Sequence, residues 1–427
     1  MIDIKLLRAN PDLFKSEMSK RFMDDQAVIV DDVLSLDSSW RSVKKQIDDL
    51  RKSRNELSRK VNEAKKSGDN ALFEKLLSEV KDIPSKISAL ESEASDLEGR
   101  LFSLLNKIPN VLHESVPLGR DDSENVEIAR FGPEPVVKKV KPHQIVVEEL
   151  GLADFTSSAK TSGNGFYYLE GELALLNQAL IRYGIEIMHK HGFRYVETPL
   201  MLRGEVIEKV VDLADQENQI YKIENEDLYL IGTSEHSMIG RFIGKLLKKD
   251  QLPIKQTSYS MCFRKEKGSH GLDEKGLFRT HQFNKVEMIV ICDPKDSMSF
   301  FEKLKNITLE IFVGLGLPVR VLQICSGDLG LMKHLQVDIE AWSPRKNGYI
   351  EVGSCSNLTD NQARSLGIRV SHGVEKFVPH TLNNTAIATS RALVAILENF
   401  QNEDGSVDIP SVLHPYMMGI TRLTPSN

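Results

Sequence analysis

Cysteine is scarce in this 427-residue chain. The four present (Cys262, Cys292, Cys325 and Cys355) are widely spaced and include no CxxC pair. That speaks against a disulfide framework and a cysteine-built zinc site, and it fits a reducing compartment. Long apolar runs are missing too. Nothing approaches the roughly 20 residues of a membrane span, and the opening Met1-Ile2-Asp3-Ile4-Lys5 does not start a signal peptide. A cytoplasmic protein is expected. Neither GxGxxG nor GxxxxGKS/T occurs, so the common glycine-rich phosphate loops are excluded. There is no excess of positive charge. The formal net charge is −6, and any polyanionic partner must be held by a local patch. What remains is an ordinary globular composition, 41% hydrophobic and 27% charged, long enough for two or three domains.

The segment from about 31 to 108 differs from the rest. Apolar residues fall at Leu36, Trp40, Val43, Ile47, Leu50, Leu57, Val61 and Ala64, and again at Leu76, Val80, Ile83, Ile87, Leu90, Ala94, Leu97, Leu101, Leu104 and Ile108. Steps of 4 and 3 are the heptad signature of paired helices. Ser67-Gly68-Asp69-Asn70 breaks the pattern with turn residues. The spacing therefore predicts an antiparallel coiled-coil hairpin with helices about 45–55 Å long. Pro84 lies inside the second helix, off the seam, and is expected to kink it. Between 36 and 66 ten Lys/Arg face five Asp/Glu, whereas 71–107 holds five against seven. The first helix is basic, which suits either a solvated face or a surface for a polyanion backbone.

Residues 111–165, rich in proline, read as a linker or irregular region. From 166 to 427 the chain reads as one α+β domain. Candidate helices (Leu173–His191, Ser297–Leu315, Ala388–Phe400) are outnumbered by candidate strands (Arg194–Thr198, Leu228–Ile231, Gln256–Phe263, Gln282–Cys292, Val319–Ile324, Val337–Trp342, Tyr349–Ser354). Strands in succession favour an antiparallel sheet flanked by helices.

Three stretches place charge beside apolar runs. In the first, Phe263-Arg264-Lys265-Glu266, a loop over 267–276 and Leu277 through Glu287 read as strand, loop and return strand. The even spacings would set Arg264, Glu266, Arg279 and Glu287 on one sheet face. Such a face is costly unless the charges pair with one another or with a ligand, and guanidinium forks suit a triphosphate. The second, His380 to Arg391, is dominated by small residues and puts an arginine at the mouth of an apolar helix. That arginine either snorkels to solvent or meets an anion. The third, Glu351-Val352-Gly353-Ser354, is either a polar strand end or a hard-cation site.

In combination these stretches resemble the signature motifs of class II aminoacyl-tRNA synthetases: Phe263–Glu266 motif 2, Ala386–Arg391 motif 3, and Gly192–Pro199 motif 1, whose proline lies at the family's dimer interface. More narrowly, the chain resembles the seryl-tRNA synthetase family over nearly its whole length. The opening Ile2–Pro11, the arm, Gly232–Glu235, Gly276–Glu287, Cys325–Gly330, Ser354–Asn357 and Asp404–Pro410 all match in order. The Thr-Ala-Ile-Ala-Thr-Ser form of motif 3, with Thr-Ser-Glu-His at 233–236, is more similar to archaeal members than to bacterial ones.

The resemblance implies a class II catalytic core at 166–427 and a tRNA-binding domain at 1–110. It implies activation of L-serine by ATP and transfer to the terminal adenosine of tRNA(Ser), with tRNA(Sec) left open as a second acceptor. Arg264 and Arg391 would be catalytic: Arg264 on the α-phosphate and serine carboxylate, Arg391 on the γ-phosphate with Arg279 assisting. Glu266 would face the adenine amino group, Thr280 its edge and Phe283 its ring. Glu351 and Ser354 would hold Mg2+, and Lys265, Val352 and Gly353 complete the ATP set. Thr233, Ser234, Glu235, Asn383, Glu287 and Thr385 would surround serine. Arg41, Lys44, Lys45, Arg51, Lys52, Arg59 and Lys60 would face tRNA held across a homodimer. No zinc and no membrane partner are implied. A class II relative that no longer charges tRNA is the main competing reading, and the intact arm with Arg264 and Arg391 stands against it. A purely structural coiled-coil protein explains only the arm. Asn384, Ala386 and Ser390 stand where many members of the family have glycine.

Overall fold

The computed structural model describes residues 1–211, 218–266 and 276–425. The loop expected over 267–276 lies, apart from Gly276, outside them. The chain separates into two compact units, Met1–Pro109 and Asn110–Asn427.

In the first unit, α1 (Ile4–Ala9) is capped by the Asp3 side chain, and α2 (Pro11–Lys20) by Asn10 with proline in its first turn. Both are standard N-terminal solutions for orphan backbone N–H groups. The 40-residue α3 (Val28–Ser67) ends where Gly68 turns left-handed at φ +74°, a conformation that costs glycine nothing. Asp69 then accepts from the Leu72 N–H and starts α4 (Asn70–Lys81). The return path is two helices rather than one bent helix. It breaks at Asp82, and α5 (Ile83–Leu105) begins with Pro84 in its first turn. Proline lacks an N–H, so a helix start is where it costs least. The seam is the expected one: Val43, Ile47, Ile83, Ile87, Ala94 and Leu97 are buried together, with Leu36, Trp40, Leu50, Leu57 and Leu90 packed around them.

The second unit is built on an eight-stranded sheet. Its strands are β1 (Val126–Phe131), β2 (Arg194–Tyr195), β3 (Ile254–Phe263), β4 (Gln282–Cys292), β5 (Val319–Gln323), β6 (Leu335–Ser343), β7 (Gly348–Asn357) and β8 (His380–Ala388). Their spatial order is β1-β5-β6-β7-β8-β4-β3-β2, antiparallel throughout except that β2 runs parallel to β3. Helices used below are α6 (His143–Glu149), α7 (Gly171–Lys190), α8 (Ser234–Gly240), α9 (Ser297–Gly314) and α10 (Thr389–Asn399). The main core draws on α7, α9, α10 and strands β4 to β8. Among the described residues no helix is long and apolar enough to cross a membrane.

Two strands of this sheet were not apparent from pattern. β8 is central, but its Thr-Leu-Asn-Asn-Thr run lacks the β-branched alternation that marks strands. β1 comes from the proline-rich 111–165 segment, pairs with β5 at the sheet edge and is largely exposed. A solvated edge strand has no buried face to impose a period of two.

Candidate active site

Strand β4 organises the site. It lies between β3 and β8, so Glu287 faces Ser258 on one side and Thr385 on the other. All but its first three residues are buried. Burying Glu287 is offset by an ion pair with Lys285 at 2.6 Å and by the Thr385 hydroxyl at 3.3 Å. A buried carboxylate without such partners would be far too costly.

The four motif-2 charges do not share a sheet face as their spacing suggested. β3 stops at Phe263 and β4 starts at Gln282. Arg264, Glu266 and Arg279 therefore lie beyond the strand ends, and Glu266 adopts φ +46°, so period-two alternation does not apply to them. The loop ends nonetheless deliver all three into one cleft of about 520 Å³, with Thr280, Phe283, Glu351, Val352, Gly353 and Arg391. The Arg264 guanidinium sits 5.4 Å over the Phe283 ring and its Nε donates to the Gly232 carbonyl at 3.3 Å. Arg391 packs 5.4 Å over Phe278 and forms a 2.9 Å ion pair with Glu351. Aromatic faces and a carboxylate thus hold both forks before any ligand arrives.

A second cavity, about 1190 Å³, adjoins the first. Arg264, Lys285 and Thr385 line both. Thr233, Glu235, Glu287, Ser354 and Asn383 open onto this second cavity. Glu235 accepts from the Asn383 and Gln362 amides, each at 2.9 Å. Burial, with Glu287 nearby, pushes its carboxyl up to about 7. His236 beside it stays neutral, since burial drives it down to about 3. Two expected residues fall outside both cavities. The Ser234 side chain is buried and donates to the Ser258 carbonyl, and the Lys265 backbone N–H donates to the Gln219 carbonyl.

Lys285, Phe278 and Asp338 were missed in the sequence. Asp338 on β6 faces Ser354 on β7. Burial and the Glu351 charge raise its carboxyl to about 7. Burial works on Glu351 in the same sense but is outweighed by Arg391, which keeps that carboxyl low. The pairing could not be read locally, because it depends on the β6–β7 register.

In the arm the basic residues are not equivalent. Arg41 pairs with buried Asp37, and Arg51 bridges α3 to Glu91 of α5 at 2.7 Å. Lys44 lies over Trp40, and Arg59 approaches Glu63 at 3.8 Å. Lys45, Lys52 and Lys60 are exposed.

A model of the class II tRNA synthetase core domain (G, H, P, S and T) matches residues 219–400, and one of the seryl-tRNA synthetase N-terminal domain matches 1–112. The serine–tRNA ligase of Methanoregula boonei is 46% identical, covering 98% of this chain and 99% of its own; that of Methanocella arvoryzae is 45% identical, covering 99% and 100%. The crystal structure of Pyrococcus horikoshii seryl-tRNA synthetase complexed with ATP matches all of this chain and all of its own with TM-score 0.90 at 41% identity. That of Naegleria fowleri cytoplasmic serine-tRNA ligase with AMP matches at TM-score 0.85 and 33%, covering 100% and 99%. With two adjoining polar cavities on an antiparallel sheet and full-length likeness at this identity, the chain belongs to the seryl-tRNA synthetase family of class II aminoacyl-tRNA synthetases.

Proposed function

We propose that the chain joins L-serine to tRNA(Ser): serine and ATP react to seryl-adenylate and pyrophosphate, and the terminal adenosine of the tRNA then takes the seryl group, releasing AMP. The observation that carries this reading is the pair of cavities meeting at Arg264. One offers aromatic stacking and arginine forks for a nucleotide. The other offers Glu235, Glu287 and Thr385 for an ammonium and a hydroxyl. A serine carboxylate oxygen attacks the α-phosphorus, and the bond to pyrophosphate breaks. No protein nucleophile is required. Arg264 aligns the two anions, and Arg391 with Arg279 takes the departing phosphates. Serine-dependent ATP–pyrophosphate exchange, run in parallel with threonine, alanine and glycine, tests the reading. Exchange with serine alone supports it, and equal exchange with alanine would remove it. Alanine should be rejected strongly, because it leaves the Glu287–Thr385 pair without its hydroxyl partner.

Glu351, Ser354 and Asp338 are hard oxygen donors, so the donor set fits Mg2+ and not zinc. These residues would hold the ion, which would neutralise phosphate charge. Tyr195, Leu200 and Met201 are exposed apolar residues at and just beyond the motif-1 strand, which supports a homodimer built there. The basic face of α3 would meet tRNA, and a cytoplasmic location fits this role. Of the basic residues proposed there, Lys45, Lys52 and Lys60 are the stronger candidates for phosphate contacts, because Arg41 and Arg51 are already engaged within the arm. Lys52→Glu is expected to raise KM for tRNA about tenfold and to flatten its salt dependence. Exchange should stay unchanged, and the check is charging kinetics across a salt series.

Glu235 supplies a pH dependence. Its carboxyl, raised to about 7, must be ionised to hold the serine ammonium. KM for serine should therefore rise as pH falls below about 7, approaching tenfold per pH unit. Stability of the unliganded chain follows the opposite sense. The raised acid favours folding at low pH, and this contribution is lost as pH climbs from the unfolded value towards 7. Glu235→Gln should abolish the serine trend. A KM profile that kept its slope in that variant would assign it to another group.

A further inference from the structure

His143 and Glu398 are both fully buried and neither lines the nucleotide or serine cavity. Glu398 accepts from the Ser343 hydroxyl and from Arg345 Nε at 2.9 Å. His143 Nδ1 lies 3.5 Å from Glu398 Oε1, too loosely placed for a hydrogen bond, and has no hydrogen-bond partner among the described residues. On the other side of the ring, Nε2 accepts the Leu277 backbone N–H at 3.1 Å. The proton therefore belongs on Nδ1, on the side of the ring where the Glu398 carboxylate lies. At Gly276 the chain passes over the ring with φ +106°, and a Cβ there would stand 2.4 Å from Nε2. Backbone contact this close requires glycine.

The placement gives this buried pair a task. Leu277 directly precedes Phe278, Arg279 and Thr280, all of which line the nucleotide cleft. Glu398 sits on α10, seven residues and about two turns beyond Arg391, whose guanidinium packs on Phe278. His143 is thus the link between the exit of the motif-2 loop and the helix that presents the motif-3 arginine. We infer that His143, packed beside Glu398, is a positioning residue for ATP: through Leu277 it fixes Phe278 and Arg279 near Arg391, so that the triphosphate grip is set before substrate binds. Arg345 and Ser343 keep Glu398 in place from the β6 side. The ring touches no substrate and exchanges no proton in the reaction.

This inference rests on the nucleotide reading of that cleft. In exchange assays His143→Ala is expected to raise KM for ATP about tenfold, the loss of one well-placed buried hydrogen bond, and to leave KM for serine within about twofold. His143→Gln can accept from Leu277 N–H and donate to Glu398, and should recover most of the ATP affinity. Thermal midpoints of both variants identify a folding defect. If His143→Ala does not fold, the glutamine variant decides, with KM for ATP close to the parent supporting the role. Equal rises in both KM values, or no change in either, would overturn it, as would a folded glutamine variant with KM for ATP as high as the alanine one. Arg264→Ala measured alongside tests the nucleotide reading separately, since retained exchange there removes that reading whatever His143 does.

Discussion

Arg264→Ala is expected to abolish serine-dependent ATP–pyrophosphate exchange, with kcat/KM falling at least about 10³-fold, roughly 4 kcal/mol of transition-state stabilisation. Among the described residues Arg264 is one of three lining both cavities. Its fork is already oriented, by Phe283 at 5.4 Å beneath the guanidinium and by the Gly232 carbonyl at 3.3 Å from Nε. Two anions must be brought together for the first step, and among the described residues no other arginine is shared between the cavities. Arg264→Lys keeps the charge and loses the fork, so an intermediate loss of about 10²-fold is expected. Arg264 is only half-buried, and its truncation leaves no large void, so the thermal midpoint should move little. Normal exchange in the alanine variant would overturn the assignment of the cleft.

Replacing residues 36–107 by a short Gly/Ser bridge is expected to leave exchange within about twofold and to depress tRNA charging at least about 10³-fold at physiological salt. The first half of that expectation rests on core composition. The two large hydrophobic cores that carry the sheet and its helices contain no residue before Leu112, and the chain divides at Pro109 and Asn110. The second half rests on charge. With a net charge of −6 for the whole chain, the excess of cations on α3 is a concentrated source of phosphate contacts, and removing it leaves the rest of the chain more acidic still. Recognition by shape and backbone contacts, the usual mode for structured RNA, needs an extended rigid surface, which a 40-residue helix paired along a heptad seam supplies. Charging that persisted without the arm would show that tRNA is held elsewhere.

Sequence alone determined the arm and the class of core. Heptad steps, a Gly-Asp turn and an off-seam proline are local signals, and helices follow local periodicity, so seam and hairpin came out as read. The break at Asp82 was legible as a disturbance at Pro84, though its form as a fresh helix start was not. Motif residues such as Arg264, Glu287 and Arg391 were legible because charge in an apolar run is costly wherever it occurs. Tertiary structure alone decided how they meet. The strand ends at Phe263 and Gln282 put Arg264 and Arg279 off the sheet, where no alternation rule reaches them. The β6–β7 register set Asp338 opposite Ser354, and burial then raised its carboxyl. Arg51 looked like a free cation until α5 brought Glu91 to 2.7 Å. His143 and Glu398, 255 positions apart by their numbers, carry no motif at all. Periodicity reports which face of an element is buried. It does not report what stands opposite, because that depends on contacts between residues distant in the chain.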